Sequence, residues 1–259
     1  MLSPNAEKII DQYFNLPFPG VDGVRCPYFN NSRKRSRGQL RALVGKGSPK
    51  EIVEEAKIIS TQYHLGIFEN DCSVCKQNLT ADDLRKFMID HDLGIECSGF
   101  VSQVLRAHFR ETKNIDFTTK LRIYPPAKFF RYIISILRPI ENISVRVLAD
   151  DRNSSVVGLK DVVAGDIITM LETQPTKQRN HVLLIRNIED NIIDYVHARA
   201  WSGDGKYGHG VTAGNIEIIY PKDGLLEQKW TENGQSDNKN ETYLEAKRAK
   251  VLQIRRLKI

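Results

Sequence analysis

Apolar residues recur along this chain in two rhythms, and the change from one to the other divides it. Up to about residue 90 the spacing is helical. Ser48-Pro49-Lys50-Glu51 combines a capping serine, a proline suited to the first helical turn and a glutamate three residues on, which predicts a helix to about Gln62. Thr80-Ala81-Asp82-Asp83 is a second start of this kind, with Leu84, Phe87 and Met88 as its apolar face. A third helix, about 97–109, carries Phe100, Val101, Val104 and Leu105 on one stripe. From 110 to about 155 the pattern is irregular, apart from a short helix expected over 127–134 after Tyr124-Pro125-Pro126.

Beyond about 156 the rhythm shifts to short strands. Asp166-Ile167-Ile168-Thr169-Met170 follows Ala164-Gly165. His181-Val182-Leu183-Leu184-Ile185 and Ile192-Ile193-Asp194-Tyr195-Val196-His197-Ala198 face each other across Asp190-Asn191, which predicts an antiparallel hairpin. Asn215-Ile216-Glu217-Ile218-Ile219-Tyr220 alternates, and Val251-Leu252-Gln253-Ile254-Arg255-Arg256-Leu257 reads as the last strand. The polar stretch 231–241 is expected to be a mobile loop.

Composition changes this picture little. The chain has 259 residues, a net charge of +6 and 27% charged residues, values of an ordinary globular protein. The basic balance would suit an anionic partner, but no nucleic-acid recognition motif accompanies it, so nucleic acid is set aside. The cluster Arg33-Lys34-Arg35-Ser36-Arg37 is expected to be a solvated face. No secretory signal is visible and no apolar run approaches membrane-spanning length. That favours a cytoplasmic, soluble chain, without deciding its localisation.

Cys26, Cys72, Cys75 and Cys97 are too few for a disulfide scaffold. Cys72-Ser73-Val74-Cys75 has metal-type spacing, but a structural zinc site normally needs four ligands, so reduced cysteines are expected there. Val44-Gly45-Lys46-Gly47-Ser48 lacks the spacing of a phosphate loop and reads as the turn before a capped helix. His64, His91, His108 and His209 lack a partner pattern; the glycine-rich loop 203–210 around His209 could border a cleft.

Gly94-Ile95-Glu96-Cys97-Ser98-Gly99-Phe100 carries the candidate chemistry. A cysteine at a helix N-terminus meets unpaired N–H groups and the positive end of the helix dipole. Such a position is expected to lower the thiol pKa, and its N–H groups can hold an oxyanion. A thiol nucleophile needs a base, and the base an orienting group. His181 opens one strand of the hairpin and His197 lies near the end of the other, so His181 is the candidate base and His197 the group that fixes its tautomer.

This order of landmarks resembles the NlpC-type murein peptidases, a branch of the papain-like cysteine peptidases. Their Asp-Cys-Ser-Gly-Phe motif corresponds to Glu96-Cys97-Ser98-Gly99-Phe100, their Gly-Asp pair to Gly165-Asp166, and their strand-opening histidine to His181-Val182. Their third polar residue corresponds to Val196-His197-Ala198, and a following Gly-Val step to Gly210-Val211. The likeness covers roughly 90–220 and the final strand. Glutamate stands where the family has aspartate, the upstream Pro-Tyr-x-Trp-Gly-Gly element of many members is missing, and Cys97 and His181 lie 84 residues apart. The resemblance implies an α+β, papain-like fold: a nucleophile helix packed on an antiparallel sheet. Residues 1–90 would be a helical extension packed on a catalytic domain of 91–259, with an insertion at about 110–155.

The implied function is hydrolysis of an amide bond in peptidoglycan stem peptides, at a D-glutamyl–diaminopimelate type of linkage, through Cys97, His181 and His197. Ser98 and Glu96 would adjoin the substrate. No cofactor is called for. Murein as substrate would place the protein facing the envelope. The alternatives are an amidase or acyltransferase on a non-murein substrate, and a binding module that keeps the fold without catalysis.

Overall fold

Ser48 Oγ accepts the Glu51 N–H while the Glu51 carboxylate accepts the Ser48 N–H, closing the expected capping box on a helix Pro49–Gln62. Thr80 and Asp83 do the same for Ala81–Asp90. The computed structural model describes residues 1–29, 40–69, 74–76, 78–123, 138–174 and 179–259. The basic cluster at 33–37, Cys72 and the helix expected at 127–134 lie outside them.

The main helices are α1 (Pro4–Phe14), α2 (Pro49–Gln62), α3 (Ala81–Asp90) and α4 (Cys97–Lys113). Short helices α5 (Val145–Leu148) and α6 (Gly205–Gly208) and a last helix α7 (Glu241–Arg248) punctuate the sheet region. Helix α4 runs a turn further than its apolar stripe predicts and stops where Asn114 turns left-handed. Between 114 and 153 the described chain forms short turns and α5 rather than remaining wholly irregular.

Among the described residues eight strands follow: β1 (Ser154–Val157), β2 (Ile167–Leu171), β3 (His181–Glu189), β4 (Ile192–Arg199), β5 (Gly210–Glu217), β6 (Lys229–Glu232), β7 (Gln235–Ser236) and β8 (Val251–Leu257). They form one antiparallel sheet in the order β1-β8-β2-β3-β4-β5-β6-β7. The fold is therefore α+β. The final strand β8 is inserted between β1 and β2.

Two expectations are corrected here. The strand expected at 215–220 runs from Gly210 to Glu217, leaving Ile219 and Tyr220 exposed beyond it. The stretch 231–241 is not a loop throughout. Asn233 and Gly234 both take positive φ, the conformation of a tight hairpin, and turn β6 into β7; Asn240 then caps α7.

Alternation along the strands builds an apolar cluster on each face. Val182, Leu184, Val196, Ala198 and Val211 join α1, α2, α3 and α4 in one. Leu183, Ile185, Ile193, Tyr195, Ile216 and Trp230 form the other, with Ala246 of α7. The first 90 residues contribute directly to the larger cluster. Tyr13 packs edge-on against Phe100 at 5.3 Å between ring centres, and the Cys26 carbonyl accepts the Val211 N–H of β5.

Candidate active site

The N-terminus of α4 is fastened before its cysteine can face anything. Glu96 donates its N–H to the Gly45 carbonyl, and Gln103 donates to the Lys46 carbonyl at 2.7 Å. Lys46 is buried. Its ammonium pairs with Glu96 and donates to Ser98 Oγ (2.7 Å) and the Ile143 carbonyl (2.6 Å), while Ser98 Oγ donates to Glu96 at 2.7 Å. The loop 45–47 thus lies directly on the helix. A Cβ at position 99 would overlap the Gly45 carbonyl oxygen, which is why the motif needs glycine there. The expected turn before α2 is present, with Gly45 at a left-handed φ of 71°. Ser98 and Glu96, expected to adjoin a substrate, are bound to Lys46.

Cys97 occupies the first turn of α4 and is 5% exposed. The expected lowering of the thiol pKa is overturned. Burial pushes the Cys97 thiol up to about 12 and the Glu96 carboxylate adds to this, against the opposing influence of Lys46 and the Val182 N–H. Desolvation outweighs the helix terminus because a buried thiolate loses the water that would stabilise it. Cys97 rests as a thiol and requires a base.

His181 opens β3, opposite Met170. His197 lies on β4, on the same face of the sheet, and His181 Nε2 is 2.7 Å from His197 Nδ1. The other nitrogen of His197 continues to a residue the sequence pattern had hidden: Nε2 donates to Glu232 Oε2 at 3.0 Å. Glu232 is completely buried at its side chain. The Tyr195 and Thr242 hydroxyls donate to Oε2, each at 2.9 Å, and Arg199 Nε donates to Oε1 at 2.5 Å. Burial alone would push this carboxyl up; the neighbouring His197 and Arg199, both hydrogen-bonded to it, prevail and hold it at about 2. Tyr195, Gly214 and Glu232 stand abreast on three neighbouring strands. A Cβ at Gly214 would overlap the Tyr195 hydroxyl, so this glycine lets Tyr195 reach across β5 to the acid.

With His197 uncharged, this chain of hydrogen bonds has one assignment of protons. An ionised carboxylate only accepts, so His197 Nε2 carries hydrogen. In neutral His197, Nδ1 is then the acceptor and His181 Nε2 the donor. The lone pair of neutral His181 is left on Nδ1, which is buried and has no hydrogen-bond partner among the described residues. Burial, followed by the nearby His197, Arg179 and Arg199, holds His181 well below the ordinary histidine range and keeps that lone pair free. The arrangement can accept a proton at one defined atom and return it.

A cleft of about 950 Å³ is lined by Tyr28, Arg179, Trp201, His209 and Glu245, among others. The glycine-rich loop expected to border a cleft does so through Gly205 and His209. Tyr28 and Arg179 are within electrostatic reach of Cys97 and of each other. The Trp201 ring has the Arg199 guanidinium 3.8 Å from its centre and donates its N–H to Thr242.

The remaining candidates lie elsewhere. His91 packs on Phe87, His108 accepts the Ser3 N–H, and Cys26 and Cys75 are buried free thiols. Among the described residues no cluster of three or more His, Cys, Asp or Glu side chains could hold a metal ion, and no helix is long and apolar enough to cross a membrane. The chain matches no protein-family model, no curated protein and no solved structure.

Proposed function

We propose that this chain is a cysteine hydrolase of papain-like, NlpC-type architecture that cleaves an amide bond. The observation that carries this reading is the relay from Glu232 through His197 to His181, ending on a buried Nδ1 with no partner among the described residues.

In the first half-reaction the Cys97 sulfur attacks the scissile carbonyl while His181 Nδ1 takes the thiol proton. The carbonyl π pair moves to oxygen, where the Cys97 N–H, unpaired within the helix, is a candidate donor. Collapse of the intermediate expels the amine, which takes the proton from His181, and leaves a thioester on Cys97. Water then attacks the thioester while His181 accepts its proton; collapse breaks the C–S bond, and the departing Cys97 sulfur takes that proton back as the acid leaves. Throughout, His197 and Glu232 hold the imidazole in the tautomer whose Nδ1 lone pair faces outward from the relay.

The resemblance implies peptidoglycan stem peptides as the substrate, and the wide, mixed-charge cleft suits a peptide chain. A panel of muropeptides and non-murein amides, assayed with wild type and Cys97→Ala, tests both bond and residue. The expected result is release of an amine by wild type alone, with an acyl group on Cys97 detected by mass spectrometry. Full hydrolysis by Cys97→Ala would remove this cysteine from the reaction. Cleavage confined to non-murein amides would favour the amidase or acyltransferase alternative. The burial that keeps the thiol protonated favours a second reading, a binding module without catalysis. That reading expects no acyl-enzyme with any member of the panel.

A further inference from the structure

The relay can accept a proton at His181 Nδ1 at one proton count alone. Its two hydrogen bonds, between Glu232 and His197 and between His197 and His181, hold one proton each. A total of two therefore leaves His181 Nδ1 empty. A third proton has to fill Nδ1, wherever the shared protons sit, because the other three ring nitrogens are already engaged. A buried carboxylate beside two imidazoles attracts that third proton. The charges that face the pair decide whether it binds.

Glu232 supplies the anion from β6, and the Tyr195 and Thr242 hydroxyls that meet it carry no charge. Burial first, then His197, Arg179 and Arg199, act against a charge on His181. Arg179 is itself paired with Glu245 at 3.4 Å. Arg199 is the cation bonded to the relay. It lies two residues beyond His197, on the same face of β4, and is 3% exposed. Its Nε donates to Glu232 Oε1 at 2.5 Å, and its guanidinium lies 3.8 Å from the centre of the Trp201 ring. Asp204 pairs with the same guanidinium and accepts the Trp201 N–H at 3.1 Å, while the indole N–H donates to Thr242 at 3.0 Å. The guanidinium is thus gripped from several sides. Two further groups come within electrostatic reach of it: Arg25, which also faces Asp204, and Glu241, which is satisfied by Ser202 and Gly203. A guanidinium does not give up its proton inside a protein, so Glu232 and Arg199 present the imidazoles with cancelling charges.

We infer that Arg199 is a positioning residue that sets the proton count: by neutralising Glu232 inside the protein it limits the relay to two protons and keeps His181 Nδ1 open. Its consequence for catalysis rests on the hydrolase reading, whereas the proton count itself is a property of the folded chain. The role belongs to the charge of Arg199 and not to its hydrogen bond alone. A neutral side chain that still donates to Oε1 would leave the carboxylate facing the imidazoles unopposed, and the third proton would bind.

Nitrogen-15 NMR of the full chain labelled at its six histidines follows His181 Nδ1 through a pH titration without any substrate. Arg199→Gln keeps an N–H for Glu232 and loses the charge; Arg199→Lys keeps the charge. Arg199→Gln is expected to raise the pH at which half of His181 Nδ1 is protonated by about two pH units, and Arg199→Lys by less than about one. In turnover, the acid limb of kcat/KM is expected to move by the same amount. A role in geometry alone predicts the reverse, with Arg199→Gln close to wild type. A folded Arg199→Gln whose Nδ1 titrates as in wild type overturns the inference and leaves the hydrolase reading standing. Should Arg199→Gln not fold, Arg199→Lys decides, since a rise of about two pH units in a variant that retains the cation overturns the inference as well. The expected shift without an acyl group on Cys97 from any amide of the panel would remove the hydrolase reading and keep the proton count.

Discussion

Replacing Glu232 by glutamine keeps the shape of the buried acid and reverses the relay it controls. Arg199 Nε donates to Oε1. In Glu232→Gln the amide oxygen must therefore occupy that position, which places the NH2 group where Oε2 had accepted from His197. His197 Nε2 then has to accept, its Nδ1 carries the proton and donates to His181 Nε2, and the remaining proton of His181 moves to Nδ1. The base is blocked at the atom that should receive the thiol proton. The hydrogen bond from His197 to a carboxylate is of the charge-assisted kind, worth about 1.5–3 kcal/mol. Replacing it by a bond of opposite polarity shifts the tautomer balance by about twice a neutral bond more, so the productive form falls by roughly 10²–10⁴-fold. We expect kcat to fall by about 10³-fold with KM little changed. Alkylation of Cys97 by iodoacetamide near pH 7 should slow in parallel. Nitrogen-15 NMR of the imidazoles, which distinguishes protonated from unprotonated ring nitrogens, reads the tautomer without any substrate. A variant that folds, keeps its rate within threefold and leaves His181 Nδ1 unprotonated would refute the reasoning.

Lys46→Met leaves Glu96 without its buried partner and should cost about 3–5 kcal/mol in urea unfolding; a loss below about 1 kcal/mol would show that the pair does not anchor α4. Gly99→Ala forces its methyl into the Gly45 carbonyl and the Lys46 stem, and should destabilise by about 1–3 kcal/mol while slowing Cys97 alkylation. Native stability between these variants would mean that the loop 45–47 yields freely. Stability should also decline in acid. His181 has a folded pKa below its unfolded one, so the unfolded chain binds more protons below about pH 6.5 and stability falls there by up to about 1.4 kcal/mol per pH unit. Glu232, held at about 2, contributes stability above about pH 4.3 that disappears as the pH falls toward 2. Urea midpoints that do not change between pH 7.5 and 5 would contradict a buried neutral His181. For the reaction itself, a resting thiol and neutral imidazole imply an acid limb below pH 6.5 and activity that persists beyond pH 9 in a pH–rate profile.

Local chemistry made much of this molecule legible. The two capping boxes, the stripe of α4 and the two-residue hairpin between β3 and β4 depend on residues within a few positions of one another, and each forms where the pattern indicates. The hairpin is also why His181 and His197 could be paired from sequence: a short turn fixes the register, and register fixes which side chains share a face. Glu232 offered no such signal. It lies 35 residues from His197 within a polar stretch, and only its place in β6, abreast of Gly214 and Tyr195, brings it to the relay. The Asn233-Gly234 turn was the available cue for that strand.

The sequence by itself determined the helices, most of the strands and the order of cysteine and histidines, because periodicity and capping are short-range effects. Tertiary structure decided what those residues are chemically. Burial converted Cys97 from an expected thiolate into a thiol held at about 12, since desolvation depends on what the whole chain packs around the sulfur. It turned Lys46 from a turn residue into the buried partner of Glu96, and Glu232 from a loop residue into the acid that orders two imidazoles. A pattern along the chain can place a side chain on a face. Its charge, its tautomer and its partners follow from contacts that only the folded sheet brings together.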